Sequence, residues 1–129
     1  MELQKILVVD DDKSVQLLMR AGASRTGNLT IQMAGNGQEA LDCLKTWTPD
    51  LILMDVMMPV LGGFETLKII LLDQELKKIP VVMMSASIDQ EKLKTFMEEG
   101  AIGVILKPFT PHKVIKELND LYASNLLRD

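Results

Sequence analysis

The chain has 129 residues, 47% of them hydrophobic: enough for one compact domain that buries roughly two-thirds of its unfolded surface, and too few for a second. Fourteen Lys and Arg against 18 Asp and Glu leave a net charge of −4, which disfavours non-specific attachment to nucleic acid or to an anionic membrane. A single cysteine, Cys43, excludes an internal disulfide and makes the cytoplasm the expected location. No apolar run approaches the roughly 18 residues of a membrane span, and no signal-peptide pattern opens the chain.

The first expected element is a strand over Lys5–Val9, an apolar run that the chain leaves through three like charges, Asp10, Asp11 and Asp12. A helix-period segment follows over Lys13–Thr26. Leu29–Ala34 is the one strand that alternates, through Leu29, Ile31 and Met33, and is therefore expected at a sheet edge. After Asn36-Gly37 comes a helix over Gly37–Thr46, then the apolar run LILM, Leu51–Met54, which ends against Asp55. A helix over Phe64–Gln74, a strand over Val81–Met84, a helix over Gln90–Glu98 and a short strand over Val104–Leu106 complete the series. The last helix, Pro111–Asn125, has the clearest stripe, with Val114, Ile115, Leu118, Leu121 and Tyr122 at three- and four-residue spacing.

Strands alternating with helices predict an α/β fold: a doubly wound, five-stranded parallel sheet with helices on both faces, for which the flavodoxin-like order 2-1-3-4-5 is one of two common solutions. Such folds bind ligands outside the carboxyl ends of their strands. The residues expected there are Asp10, Asp11, Asp55, Ser85 and Lys107. A nucleotide-binding sheet would place a glycine-rich turn after the first strand; three carboxylates repel a phosphate and attract a cation instead. With neither Cys nor His at the site, the donors favour Mg²⁺, Mn²⁺ or Ca²⁺ over zinc, and few protein ligands with room for water favour Mg²⁺. The loop does not follow the calcium-loop pattern of an EF-hand. Taken alone, the triple aspartate serves equally as a helix cap, and Asp12, followed by Lys13 and Ser14, need be nothing more. Asp55 is harder to dismiss, because it is one carboxylate between LILM and VMMP, and clustered ionised carboxylates require compensation that a divalent ion and Lys107 would supply. The bond from Lys107 to Pro108 is expected trans as the commoner state, with cis open to it at modest cost.

With these residues placed, the sequence resembles the receiver domain of two-component response regulators, over essentially all of residues 1–129. The motifs are ILVVDD at 6–11, GNGQEAL at 35–41, DLILMDVMMPVLGGFE at 50–65, VVMMSA at 81–86 and LKPF at 106–109. The resemblance implies that Asp55 accepts a phosphoryl group, and that Mg²⁺, with Mn²⁺ as substitute, is held by Asp10, Asp11, Asp55 and the backbone carbonyl of Met57. It implies that Ser85 and the Ala86 N–H bind phosphoryl oxygens and that Lys107 pairs with the phosphate. A histidine kinase or histidine phosphotransfer protein is the implied donor, since the sole histidine, His112, is expected to be a solvated residue at the start of the last helix. The implied output is a downstream protein bound through the face of the fourth helix, fifth strand and fifth helix, with no direct contact to nucleic acid and no membrane insertion. Such a domain promotes its own phosphorylation and dephosphorylation without being a turnover enzyme.

Three departures stand out. Val104 takes the place where the family usually has Tyr or Phe, so a signal to the last two helices must travel by backbone and loop movement. GAIGVILKP, residues 100–108, lacks the acidic residues with which some DNA-binding subfamilies pair their receivers, and Gly62 stands where Asp is frequent. Met57, beside the expected path of hydrolytic water with Ser87, offers that water no side-chain donor. Other readings are a phosphorylation-independent, receiver-like scaffold, left open by Val104, and an aspartate-nucleophile phosphatase, which wants an acid where Met57 stands. A flavin-binding module is opposed by the acidic turn. Met54, Met83 and Met84 are expected as core filling, and Met57 and Met58 as partly exposed loop residues.

Overall fold

The computed structural model describes residues 3–87 and 89–127. Five strands, β1 (Lys5–Val9), β2 (Thr30–Ala34), β3 (Leu51–Asp55), β4 (Val81–Ser85) and β5 (Gly103–Leu106), alternate with five α-helices: α1 (Lys13–Thr26), α2 (Gly37–Leu44), α3 (Gly63–Leu72), α4 (Gln90–Glu98) and α5 (Pro111–Leu126). All pairings are parallel, in the order β2-β1-β3-β4-β5. The expected α/β architecture and strand order therefore stand, and the alternating strand lies at an edge.

Side-chain alternation along the strands builds two cores. Ile6, Val8, Leu51, Leu53, Val82, Met84 and Ile105 pack with Val15, Met19, Val114, Ile115, Leu118 and Tyr122 of α1 and α5. Leu7, Val9, Ile52, Met54, Val81 and Met83 pack on the other face with Ala40, Leu44, Leu67, Ile70 and Phe96 of α2, α3 and α4. Because both faces are covered, the central strands read as unbroken apolar runs. Met54, Met83 and Met84 have no exposed surface, whereas Met57 is 79% exposed.

The element boundaries differ from the sequence reading where local hydrogen bonds decide them. Asp55 and Ser85 are the last residues of β3 and β4 rather than the first beyond them, since pairing continues to Asp55 opposite Met84 and to Ser85 opposite Leu106. Helix α2 stops at Leu44, not Thr46, as the N–H groups of both Thr46 and Trp47 turn onto the Cys43 carbonyl. Helix α3 ends at Leu72, not Gln74, because Asp73 leaves the helix (φ −91°, ψ 128°). Its carboxylate then accepts the N–H groups of Glu75 and Leu76, starting a short 3-10 turn, Leu76–Lys78, that periodicity gave no hint of. The Lys107–Pro108 bond is cis, against the expectation of trans.

Side-chain caps open four helices: Asp12 for α1, Asn36 for α2, Asp89 for α4 and Thr110 for α5. Helix α3 begins after Gly62 without one. What positions α3 is backbone contact: the Gly63 N–H donates to the Val56 carbonyl at 3.1 Å. A Cβ on Gly63 would collide with the Asp55 carbonyl and lie 2.9 Å from the Val56 Cα. Only glycine lets α3 start flush against the end of β3. Neither obstacle is a side chain that can turn away, so Gly63→Ala should lower the unfolding free energy by about 2–3 kcal/mol. Urea denaturation measures this; an alanine variant as stable as the parent would refute the packing argument.

Candidate phosphoacceptor and metal site

Each acidic residue at the carboxyl edge of the sheet is placed by the strand that ends there. Asp10 extends β1, its N–H donating to the Ala34 carbonyl at 2.9 Å. Its side chain is wholly buried, and one carboxylate oxygen accepts the Asp12 N–H at 2.9 Å. The Gln16 side-chain amide, which sequence reasoning missed because a glutamine in a helix has no distinctive signal, donates to the Asp10 carbonyl at 3.1 Å. Asp11 is exposed. Asp12 is the helix cap: it accepts both the N–H and the O–H of Ser14, at 2.8 and 2.7 Å, and the Ser14 hydroxyl foremost holds its carboxyl below the usual range. The triple aspartate thus divides between two jobs, with Asp10 and Asp11 directed to the site.

Asp55 ends β3 with 8% of its surface exposed. Its pKa is raised, first by burial and then by the neighbouring Asp10 charge, against the downward pull of Lys107 and of the Met57 N–H. Lys107 follows β5, its N–H bonded to the Ser85 carbonyl at 2.8 Å. Its ammonium lies 2.8 Å from one Asp10 oxygen and 3.4 Å from one of Asp55. Burial is the largest single influence on Lys107 and works against its charge, but the hydrogen bond and charge of Asp10, followed by those of Asp55, outweigh it and raise the lysine's pKa.

One oxygen each of Asp10, Asp11 and Asp55 fall within 4.8 Å of one another. When all three ionise, the single ammonium of Lys107 leaves two negative charges uncompensated, and the donors are oxygens alone, so a hard divalent cation fits this cluster. Ser85 is buried at the end of β4, and its hydroxyl donates to the Ser87 carbonyl at 2.7 Å. Ser85, Ala86 and Met57 line a cleft of about 570 Å³ together with Phe64 and Phe96, two rings with centroids 5.1 Å apart. In the loop between β3 and α3, Val60 has φ 67°, and the next N–H, from Leu61, donates to the Pro59 carbonyl at 2.7 Å. A β-branched residue rarely adopts that conformation; nothing in VMMPVLGG marks it beforehand. The contact of Lys92 with Ser87 was also unforeseen, because it joins a side chain on α4 to one in the loop before it. His112 is exposed near the start of α5.

A buried aspartate, an adjacent acidic pair and a lysine thus meet at the switch point of a doubly wound sheet, the place where folds of this architecture bind ligands. Residues 6–119 match the response regulator receiver domain family, and the chain belongs to it. It is 39% identical over 111 residues to the alkaline phosphatase synthesis transcriptional regulatory protein PhoP of Bacillus subtilis, an alignment covering 86% of this chain and 45% of the relative. It is 32% identical over 112 residues to the DNA-binding response regulator MtrA of Mycolicibacterium paratuberculosis, covering 87% and 48%. The chain spans about half the length of the curated relatives it matches. Among solved structures it resembles the chemotaxis response regulator CheY4 of Vibrio cholerae, with TM-score 0.84 and 30% identity over 92% of this chain and 98% of that one. The receiver domain of the Francisella response regulator 1452 is similarly close, with TM-score 0.82 and 33% identity over 95% and 98%. The chain is a receiver domain of two-component signalling. No helix among the described residues is long and apolar enough to cross a membrane.

The raised pKa of Asp55 has a consequence for stability. A carboxyl whose folded pKa lies above its unfolded value contributes most when protonated, below the unfolded pKa, and loses that contribution as pH rises through the folded pKa. Neutral asparagine escapes that loss. In metal-free protein Asp55→Asn should therefore be more stable than the parent at neutral pH, and the difference should shrink between about pH 7 and pH 4. Urea unfolding across that range checks it; a gap that widens on acidification would contradict the assigned direction.

Proposed function

We propose that Asp55 is the phosphoacceptor of a receiver domain comprising residues 1–129, which takes its phosphoryl group from a histidine kinase or histidine phosphotransfer protein. The observation that carries this reading is the buried Asp55 carboxylate, 3.4 Å from the Lys107 ammonium and clustered with the oxygens of Asp10 and Asp11. An Asp55 oxygen attacks phosphorus while the bond to the donor's imidazole nitrogen breaks, the nitrogen leaving with the bonding electron pair. Two anions must approach for this to happen, and the chain's answer is electrostatic. Lys107 pairs with a phosphoryl oxygen, while the Ser85 hydroxyl and the Ala86 N–H donate to others. Asp10, Asp11, Asp55 and the Met57 carbonyl would hold Mg²⁺, or Mn²⁺ in its place. That ion supplies positive charge against the transferring group. The domain speeds its own phosphorylation and dephosphorylation but is not a turnover enzyme. Its output is the binding of a downstream protein at the face of α4, β5 and α5, in the cytoplasm and without direct contact to nucleic acid.

Acetyl phosphate with Mg²⁺ tests the reading. One phosphoryl group per chain should appear by mass spectrometry, stable in acid and labile in base; Asp55→Asn and chelated protein should remain unmodified. Multiple turnover of varied phosphate esters would favour a phosphatase, and no adduct at all would favour a scaffold. A second expectation concerns Met57, whose exposed thioether cannot orient hydrolytic water as an amide can. The acyl phosphate of the parent should decay no faster than that of Met57→Asn, so a more slowly decaying asparagine variant would refute the idea.

A further inference from the structure

The cleft bounded by α3, α4 and the loops after β3 and β4 is far larger than a phosphoryl group needs. Its volume of about 570 Å³ falls in the range of sites that enclose small organic molecules. Val56, Met57, Phe64 and Phe96 give it an apolar lining, and the two rings, 5.1 Å apart between centroids, suit an aromatic occupant.

The polar side chains of the lining are unequally engaged. The Thr95 hydroxyl donates to the Glu91 carbonyl at 3.0 Å, and the Lys92 ammonium is turned onto the Ser87 hydroxyl at 2.9 Å. One oxygen of the Asp89 carboxylate accepts the Lys92 N–H at 2.7 Å, which leaves the other. The Glu91 carboxylate has neither a hydrogen bond nor an ion pair with any described residue. Two carboxylates thus face one ammonium that is already occupied. The cleft also reaches the carboxyl edge of the sheet through Ser85 and Ala86, where Asp10, Asp11 and Asp55 outnumber the charge of Lys107. An occupant therefore meets net negative charge beside an apolar surface.

We propose that this cleft binds a small primary amine carrying an aromatic ring, with the ring against Phe64 and Phe96 and the ammonium paired with Glu91 and Asp89. An anion of the same shape meets uncompensated carboxylates, and an aliphatic amine leaves the aromatic lining uncovered. The site stands whether or not Asp55 accepts a phosphoryl group.

Tryptamine is the probe, added to the full chain and followed by amide NMR. Mg²⁺ is present, so that the amine does not simply collect at Asp10, Asp11 and Asp55. A molecule of this size should bind with a Kd of roughly 0.1–1 mM and shift the amides of Val56, Phe64 and Thr95. Indoleacetate, which is anionic, and butylamine, which lacks the ring, should each bind at least about fivefold more weakly. Glu91 is exposed, so Glu91→Gln leaves the core intact; it should weaken tryptamine binding roughly two- to fivefold, and Lys92→Met should strengthen it by a similar factor. Indoleacetate or butylamine binding as tightly as tryptamine would overturn the proposal. So would unchanged affinity in Glu91→Gln, shifts confined to the surroundings of Asp10 and Asp11, or no shift at millimolar tryptamine.

Discussion

One ammonium between two buried carboxylates is the interaction on which the site depends. Lys107 is 97 positions from Asp10 in sequence and 2.8 Å from it in space. Bringing three ionisable groups out of water carries a desolvation cost that their attraction repays only when the geometry is tightly held. The strand order provides that geometry. β1 and β3 are neighbours, which sets Asp10 and Asp55 side by side, while β5 lies beyond β4, so the cation must reach across the end of an intervening strand. A lysine has the length for this and a compact charge at its tip. The register that places Ser85 opposite Leu106 leaves the Lys107 N–H bonded to the Ser85 carbonyl at 2.8 Å, which fixes the lysine backbone beside the end of β4.

The rest of the molecule can be understood as holding those strand ends still. The central strands are covered on both faces, with Val8, Leu53 and Val82 packed on one side and Val9, Met54 and Met83 on the other. Close packing of this kind gives little room for the carboxylates to relax apart. Asp55 accordingly keeps its raised pKa, from burial first and the charge of Asp10 second, instead of swinging into solvent. The adjoining loop holds Val60 in a conformation that β-branched residues avoid and lets Gly63 pack directly on the Asp55 backbone. Unfavourable conformation and crowded charge are thus concentrated at one edge of the sheet, a pattern common at functional sites.

The fold was legible because its signal is long and repeated: five short apolar runs, each followed by a helix-period segment, admit few topologies. The convergence of Asp10, Asp55 and Lys107 was legible for the same reason, as strand ends in a parallel sheet share one edge. Boundaries were less so. Whether Asp55 is the last residue of β3 or the first beyond it turns on one more pairing, to Met84, and the early end of α3 turns on Asp73 preferring to cap the next turn. The division of labour within the triple aspartate was open in the sequence because a capping aspartate and a metal-binding one are the same residue; only the Ser14 contacts separate them. The Lys92 contact to Ser87 in the loop after β4 was illegible, since no periodicity encodes a bond between a loop side chain and a helix one.

That loop matters more here because β5 carries a small aliphatic residue at position 104. Val104 and Leu106 lie on the same side of β5, Val104 against the core beneath α4 and Leu106 half in solvent at 51% exposure. Leu93 and Met97, one turn apart on α4, are likewise partly exposed, so the proposed output face offers apolar side chains that a rigid ring does not interrupt. Valine has a single torsion and no polar tip, so it cannot alternate between buried and solvated positions as an amphipathic ring can. A change at this face must therefore come from displacement of α4 itself. The first turn of that helix is held to the loop after β4 by the Lys92 ammonium, 2.9 Å from the Ser87 hydroxyl.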